Sequence, residues 1–205
     1  MTTAGAFPAG FLLVGDLGAG TMTVSAGGTV NATQSYIGTN ANSASGTVTI
    51  TGAGSQWITT FFDVGSSGTG TLNVRNGASV TNTGGFGIGS DSGAVGVVNI
   101  ESGSDVTMTT TTIGGPALST GTLTVTGAGS SWTGSGTMTV AGTGTGTFNL
   151  SSGASATSGL VAVATSAAPA TAPSTFRVRA PRGRPEASCP EPSAPPPSPS
   201  PAARS

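Results

Sequence analysis

One short phrase returns along this chain at a nearly constant interval, and that interval limits the fold more than any other feature. An aliphatic residue followed by a small one marks each return: Val14-Gly15, Ile37-Gly38, Val64-Gly65, Ile88-Gly89, Ile113-Gly114 and Val140-Ala141, with a last anchor at Val163-Ala164. The spacings are 23, 27, 24, 25, 27 and 23 residues. After each anchor comes a run in which apolar residues alternate with Thr or Asn: Gly20-Thr-Met-Thr-Val24, Gly46-Thr-Val-Thr-Ile50, Gly70-Thr-Leu-Asn-Val74, Gly96-Val-Val-Asn-Ile100, Gly121-Thr-Leu-Thr-Val125 and Gly146-Thr-Phe-Asn-Leu150. A period of two is that of a strand with one buried face, with Leu, Val and Ile inward and Thr outward.

Two endings follow this strand. Gly27-Gly28-Thr29-Val30, Gly77-Ala78-Ser79-Val80 and Gly103-Ser104-Asp105-Val106 lead into a second short strand, with Gly153-Ala154-Ser155-Ala156 as a weaker copy. The two 27-residue units read Gly52-Ala53-Gly54-Ser55-Gln56-Trp57 and Gly127-Ala128-Gly129-Ser130-Ser131-Trp132 instead. A unit this short cannot bury its own apolar face, whereas stacked copies can. The spacing and the three strand-sized segments per unit predict an all-β protein, a right-handed parallel β-helix. It has about six coils of 23–27 residues, each roughly 4.8 Å above the last, so the stack spans on the order of 29 Å. Glycine is expected at every corner, for its freedom at positive φ. Propeller and leucine-rich signatures are absent, and the 35 glycines together with the missing 3.6-residue period exclude a helical solenoid.

Composition changes near residue 165. Residues 1–165 form the repeat domain and carry one Arg, Arg75, against five acids: Asp16, Asp63, Asp91, Glu101 and Asp105. Residues 166–205 hold eleven of the 13 prolines and five Arg, and read as a disordered Pro/Arg-rich tail. A second reading of that tail comes from the genetic code. In the frame that joins each third base to the next codon's first two, residues 172–184 permit Gly-Ala-Leu-Asn-Val-Ser-Gly-Ala-Gly-Ala-Thr-Trp-Ser, which parallels the stretch from Gly121 to Thr133. That reading makes everything after about Ser166 a frameshift product of a further Trp-bearing repeat. Tail arginines Arg177, Arg179, Arg182 and Arg184 lack aromatic interleaving and do not indicate nucleic acid. Cys189 is the sole cysteine, so no intrachain disulfide forms and no Cys-ligated metal site is implied. The first residues show no basic n-region, and Phe11-Leu12-Leu13-Val14 is too short for a signal h-region. Phe7 stands eight residues before Gly15, as Trp57 does before Gly65, so the start reads as the end of an earlier coil, and the domain as truncated at both ends.

The units Val-Gly-x-x-Gly-x-Gly-Thr-Leu-x-Val-x-x-Gly-x-x-Val, alternating with Gly-Ala-Gly-Ser-x-Trp, resemble the short repeats of bacterial type V secretion (autotransporter) passengers and PEP-CTERM-associated surface proteins, over roughly residues 11 to 165. The resemblance implies an exported, surface-displayed β-helical passenger, extracellular or on the bacterial cell surface. On the full-length chain it implies a signal peptide upstream and a translocating outer-membrane β-barrel downstream. The function expected from it is a non-catalytic structural stalk segment; the alternatives are an adhesin-type module in weak contact with glycans or matrix, and a polysaccharide-degrading β-helix.

No catalytic, cofactor-binding or metal-ligating residue is expected. With no His and no Lys, the acids are all a catalyst would have, and Asp16, Asp63 and Asp91 occupy different offsets from their anchors and do not converge. Convergence of Asp63, Asp91 and Asp105 would favour the enzyme. Gly87-Ile88-Gly89-Ser90-Asp91 is half of a calcium-binding repeat without its tandem copy, the matching turns offering Ser67 and Ala117. Arg75 and Glu101 follow equivalent apolar residues and are expected as a stacked cross-strand ion pair of a few tenths of a kcal/mol. Trp57 and Trp132 are expected in the core, and their exposure separates stalk from adhesin, since an exposed ring is the best sugar platform. Neither nucleic-acid binding nor membrane insertion is expected of this segment.

Overall fold

The computed structural model describes residues 6–41, 44–163 and 175–178, the last by backbone alone. It is all-β, with parallel strands stacked as a β-helix of about six turns. The alternating phrases form one seven-stranded sheet: Ala19–Val24, Ser45–Thr51, Thr69–Arg75, Val95–Glu101, Thr120–Thr126, Thr145–Ser151 and Thr175–Val178. Their register is the one the sequence alignment gives, Gly20 opposite Gly46, then Gly70, Gly96, Gly121 and Gly146 in one file. An eleven-stranded sheet closes the other side of the coil. In its first coils it consists of the long strands Ala6–Val14, Thr29–Ile37 and Gln56–Val64. From there each strand divides in two, Ser79–Asn82 and Gly85–Ile88 being the first such pair.

The division is fixed by side chains that satisfy the backbone at the bend. Asn82 Nδ2 donates to the Gly85 carbonyl at 2.7 Å, and Asn82 Oδ1 accepts from Gly84 N–H at 2.9 Å, so the chain turns there without leaving buried groups unpaired. In the coil before, Thr59 at the same register position donates to the Phe61 carbonyl at 2.9 Å and the strand passes through.

The anchors end the second sheet's strands. Gly38 has φ +72° and lies beneath the backbone of Thr69 in the next coil, where a Cβ would collide with the carbonyl. Position and conformation thus both demand glycine. The expectation of glycine at every corner needs correction, however, because Ala26, Asn76, Ser102, Leu118, Ala141 and Ser152 also hold positive φ. Four of these are the first of two consecutive positive-φ residues, as in Asn76-Gly77 (58° and 75°), the signature of a type I′ turn.

The two endings are two turn types leading to one place. In Gly52-Ala53-Gly54-Ser55, φ is positive at Gly54 (79°) and not at Ala53, as a type II turn requires, and Ser55 N–H closes it on the Gly52 carbonyl at 3.0 Å. Trp57 then falls into the file of Val30 and Val80, and Trp132 into that of Val106 and Ala156. The core is a continuous column of such files, including Val48, Leu72, Val98 and Leu123 from the first sheet and Phe62, Phe86 and Met138 from the second. Phe7 pairs with Val30 and so occupies the tryptophan file, as its spacing predicts.

The disordered tail expected over 166–205 lies outside the described residues except for Thr175–Val178. That segment pairs in parallel with the strand ending at Ser151, Phe176 opposite Phe148 and Val178 opposite Leu150, so β structure continues past the boundary drawn at residue 165.

Candidate functional site

Patterned residues serve stacking first. Ser55 and Ser130, the serines of the Gly-Ala-Gly-Ser-x-Trp elements, are buried. Their hydroxyls accept from Gly27 N–H at 3.1 Å and Gly103 N–H at 3.0 Å. In a type I′ turn that N–H has no partner within the turn, and the coil above supplies one. Trp57 (0 % exposed) and Trp132 (1 % exposed) are both interior, so neither ring is a surface platform. Trp57 stacks on Phe62 at 5.1 Å between ring centres, and its Nε1–H donates to Ser35 Oγ at 3.0 Å.

The acids divide between two corners. Asp16 accepts from Thr39 Oγ1 and from Asn40 Nδ2, the latter at 2.8 Å, and ties the first anchor corner to the second. Asp105 accepts from Ser131 at 2.5 Å at the opposite end of the second sheet. Its file passes through Ser79 to Gln56, seven residues along the strand from Asp63, or about 23 Å. Asp63 and Asp91, by contrast, do approach one another. Asp63 is buried and accepts from Ser90 Oγ, while Ser67 donates to Asp91. Burial raises the Asp63 pKa above its ordinary value, hydroxyl hydrogen bonds from Ser90 and Ser66 oppose that, and the Asp91 charge adds to it. Asp63 and Asp91 thus share one corner and feel one another's charge, while Asp105 lies at the other end of the sheet, so the three do not cluster. Among the described residues no group of three or more His, Cys, Asp or Glu is placed to hold a metal.

Arg75 and Glu101 lie on adjacent coils, since Val74 is opposite Ile100, yet no ion pair forms between them. The side chains here are long and solvated, and nothing buries the pair. The Thr and Asn files face outward as the alternation requires. Thr47, Thr71, Thr122 and Thr147 share a file interrupted by Val97, and the Asn99 amide donates to Asn73 at 3.0 Å in the next file.

One surface feature was not anticipated. On the outer side of the second sheet, Phe11, Gln34 and Phe61 form one file and Leu13, Tyr36 and Asp63 the next. Tyr36 and Phe61 are half-buried, with ring centres 5.7 Å apart and planes inclined at 46°. In the following coil these files hold Gly85 and Gly87, and in the one after that Thr110 and Thr112. Two side chains are thereby missing from an otherwise continuous surface, leaving an open notch of about 280 Å³ between Phe61 and the threonines, with Asp63 and Ser90 in its wall. Tyr36 and Asp63 each stand one residue before an aligned anchor, Ile37 and Val64, and Phe61 stands three before, so strand parity places all three on the outer side.

Comparison of the chain with protein-family models, with curated proteins and with solved structures finds no match. Among the described residues no helix is long and apolar enough to cross a membrane.

Proposed function

We propose that this chain is a segment of a non-catalytic β-helical stalk in a secreted or surface-displayed bacterial passenger of the autotransporter type. The observation that carries the reading is that the recurring side chains are consumed by coil-on-coil stacking. The motif serines complete turns of the coil below, the motif tryptophans fill the core, and the glycine files admit close backbone packing. What remains outside on the first sheet is largely uncharged Thr and Asn, a surface suited to spacing. A rod of this kind holds a tip away from a cell and is stiff because each coil is bonded to two neighbours.

Fractionation of the source cells with antibodies to the solenoid, combined with protease shaving of intact cells and sequencing of the surrounding locus, tests the proposal. Expected are loss of the epitope on shaving and, at the locus, an export signal with further repeats or a barrel-encoding segment. An epitope confined to the cytosol of intact cells, in a locus without those elements, rejects it.

An adhesin-type reading has one observation in its favour: with both tryptophans interior, the half-buried rings of Tyr36 and Phe61 still stand beside a notch on the outer side of the second sheet.

A further inference from the structure

We propose that the notch between Phe61 and Thr110 is a subsite for a single neutral pyranose ring of a glycan, an inference that rests on the adhesin-type reading and gives it a location. The argument starts from what the two glycines do. A Cβ at Gly87 would collide with Asp63 Oδ1 and Ser90 Oγ, so glycine here lets the Asp63 side chain lie across the neighbouring strand and reach the serine. Gly85 has no such need. A Cβ there would meet the Phe61 ring at 3.4 Å, ordinary contact, and its φ is not in the left-handed region. The Thr110 file would therefore admit a Cβ at residue 85 without strain. Its absence leaves Phe61 uncovered on this side, while Tyr36 backs the ring on the other.

The slot spans two coil spacings, about 10 Å from backbone to backbone. That admits a flat ring standing on edge, and at about 280 Å³ it falls just below the small end of ligand sites. A pyranose offers C–H groups on one face and hydroxyls around its rim. Phe61 supplies an aromatic face for the first. Asp63, Ser90, Thr110 and Thr112 supply acceptors and donors for the second, with both threonines exposed. Two carboxylates, Asp63 and Asp91, stand at this corner and no cation does among the described residues that line it, so acidic sugars are disfavoured.

The test is titration of the full chain, followed by amide ¹H–¹⁵N spectra, with three separate probes: cellohexaose, maltohexaose and chitohexaose, and with oligogalacturonate as the anionic control. The expected result is a saturable shift with at least one neutral probe, centred on residues 61–63, 85–90 and 110–112, and none with the control. Gly85→Thr fills the slot and should abolish that shift with the fold intact by circular dichroism. Phe61→Ala should weaken it about tenfold or more, and Phe61→Tyr should keep it. A neutral glycan that shifts other faces instead, or binds Gly85→Thr equally well, overturns this subsite and leaves the adhesin-type reading standing. No shift with any neutral probe up to its solubility limit overturns both.

Discussion

Trp57 and Trp132 occupy equivalent places three coils apart, behind the same motif, in the same file, and equally buried, yet their surroundings differ. Trp57 heads an unbroken relay: its Nε1–H donates to Ser35, Ser35 Oγ donates to Thr59 at 3.1 Å, and Thr59 donates to the Phe61 carbonyl. In the Trp132 coil the counterpart of Ser35 is Thr111 and that of Thr59 is Gly134. Neither Trp132 Nε1 nor Thr111 Oγ1 has a hydrogen-bond partner. The Trp132 ring lies over Gly134, where the nearest atoms to a would-be Cβ belong to the indole. Trp57 also stacks on Phe62, whose counterpart in the other coil is Met138. The motif therefore specifies where a large ring goes and how its turn is capped. What the ring bonds to is left to residues outside the motif.

The largest effects test the part the two coils share. Trp57→Ala and Trp132→Ala should each cost about 3–5 kcal/mol in denaturant unfolding, the usual range for emptying a tryptophan site. Trp57→Ala should be the more damaging, because it also removes the N–H that donates to the buried Ser35 hydroxyl. Equal losses would mean that the relay contributes nothing. Next come Ser55→Ala and Ser130→Ala, each of which leaves a glycine N–H of the coil below without its acceptor. Both should cost about 1–3 kcal/mol, and by the same amount, since this contact is common to the two coils. Site-resolved hydrogen exchange should report the loss at Gly27 and at Gly103 respectively. An unchanged Gly103 amide in Ser130→Ala would remove the capping role of the motif serine.

These differences mark the limit of what was legible in the sequence. Period-two alternation, anchor spacing and Gly-Ala-Gly-Ser-x-Trp were enough to place the parallel stack, the register of the first sheet and both buried tryptophans, because each depends on residues within one repeat. Interactions between coils were harder to read. The Ser55 bond to Gly27 spans 28 residues and the Asp63 bond to Ser90 spans 27, so they appear only once the register is known. Arg75 and Glu101 show the converse, for register puts them side by side and solvation leaves them unpaired. The notch is not legible in the sequence because it is made by the side chain Gly85 lacks, and in these repeats glycine otherwise marks corners.

A third comparison separates the rings' polar handles. Trp132→Phe deletes a buried N–H that has no partner, so its cost should be confined to lost packing. Trp57→Phe deletes the head of the relay and should cost about 1–2 kcal/mol more. Measured as the difference between the two variants, this cancels most of the packing loss common to both. A difference near zero, or of opposite sign, would show that Trp132 Nε1 is satisfied in solution, for example by an internal water bridging to Thr111.

The smallest effect concerns pH, and it too belongs to the Trp57 coil, because the position of Asp63 in that file is taken by Thr139 in the Trp132 coil. Burial holds the folded pKa of Asp63 above the ordinary carboxylate value, so the folded state binds the proton more tightly than the unfolded chain does. Stability attributable to this group therefore rises as pH falls from neutrality through the folded pKa towards the unfolded one, and levels off below it. Asp63→Asn should remove that slope while leaving stability at low pH close to that of the parent, since an amide oxygen still accepts from one serine and its NH₂ meets the other. The readout is the denaturant midpoint at a series of pH values for the two proteins. A parent that loses stability on acidification through this window, with Asp63→Asn abolishing the loss, would mean that the Ser90 and Ser66 hydrogen bonds outweigh burial and that the carboxylate is held charged.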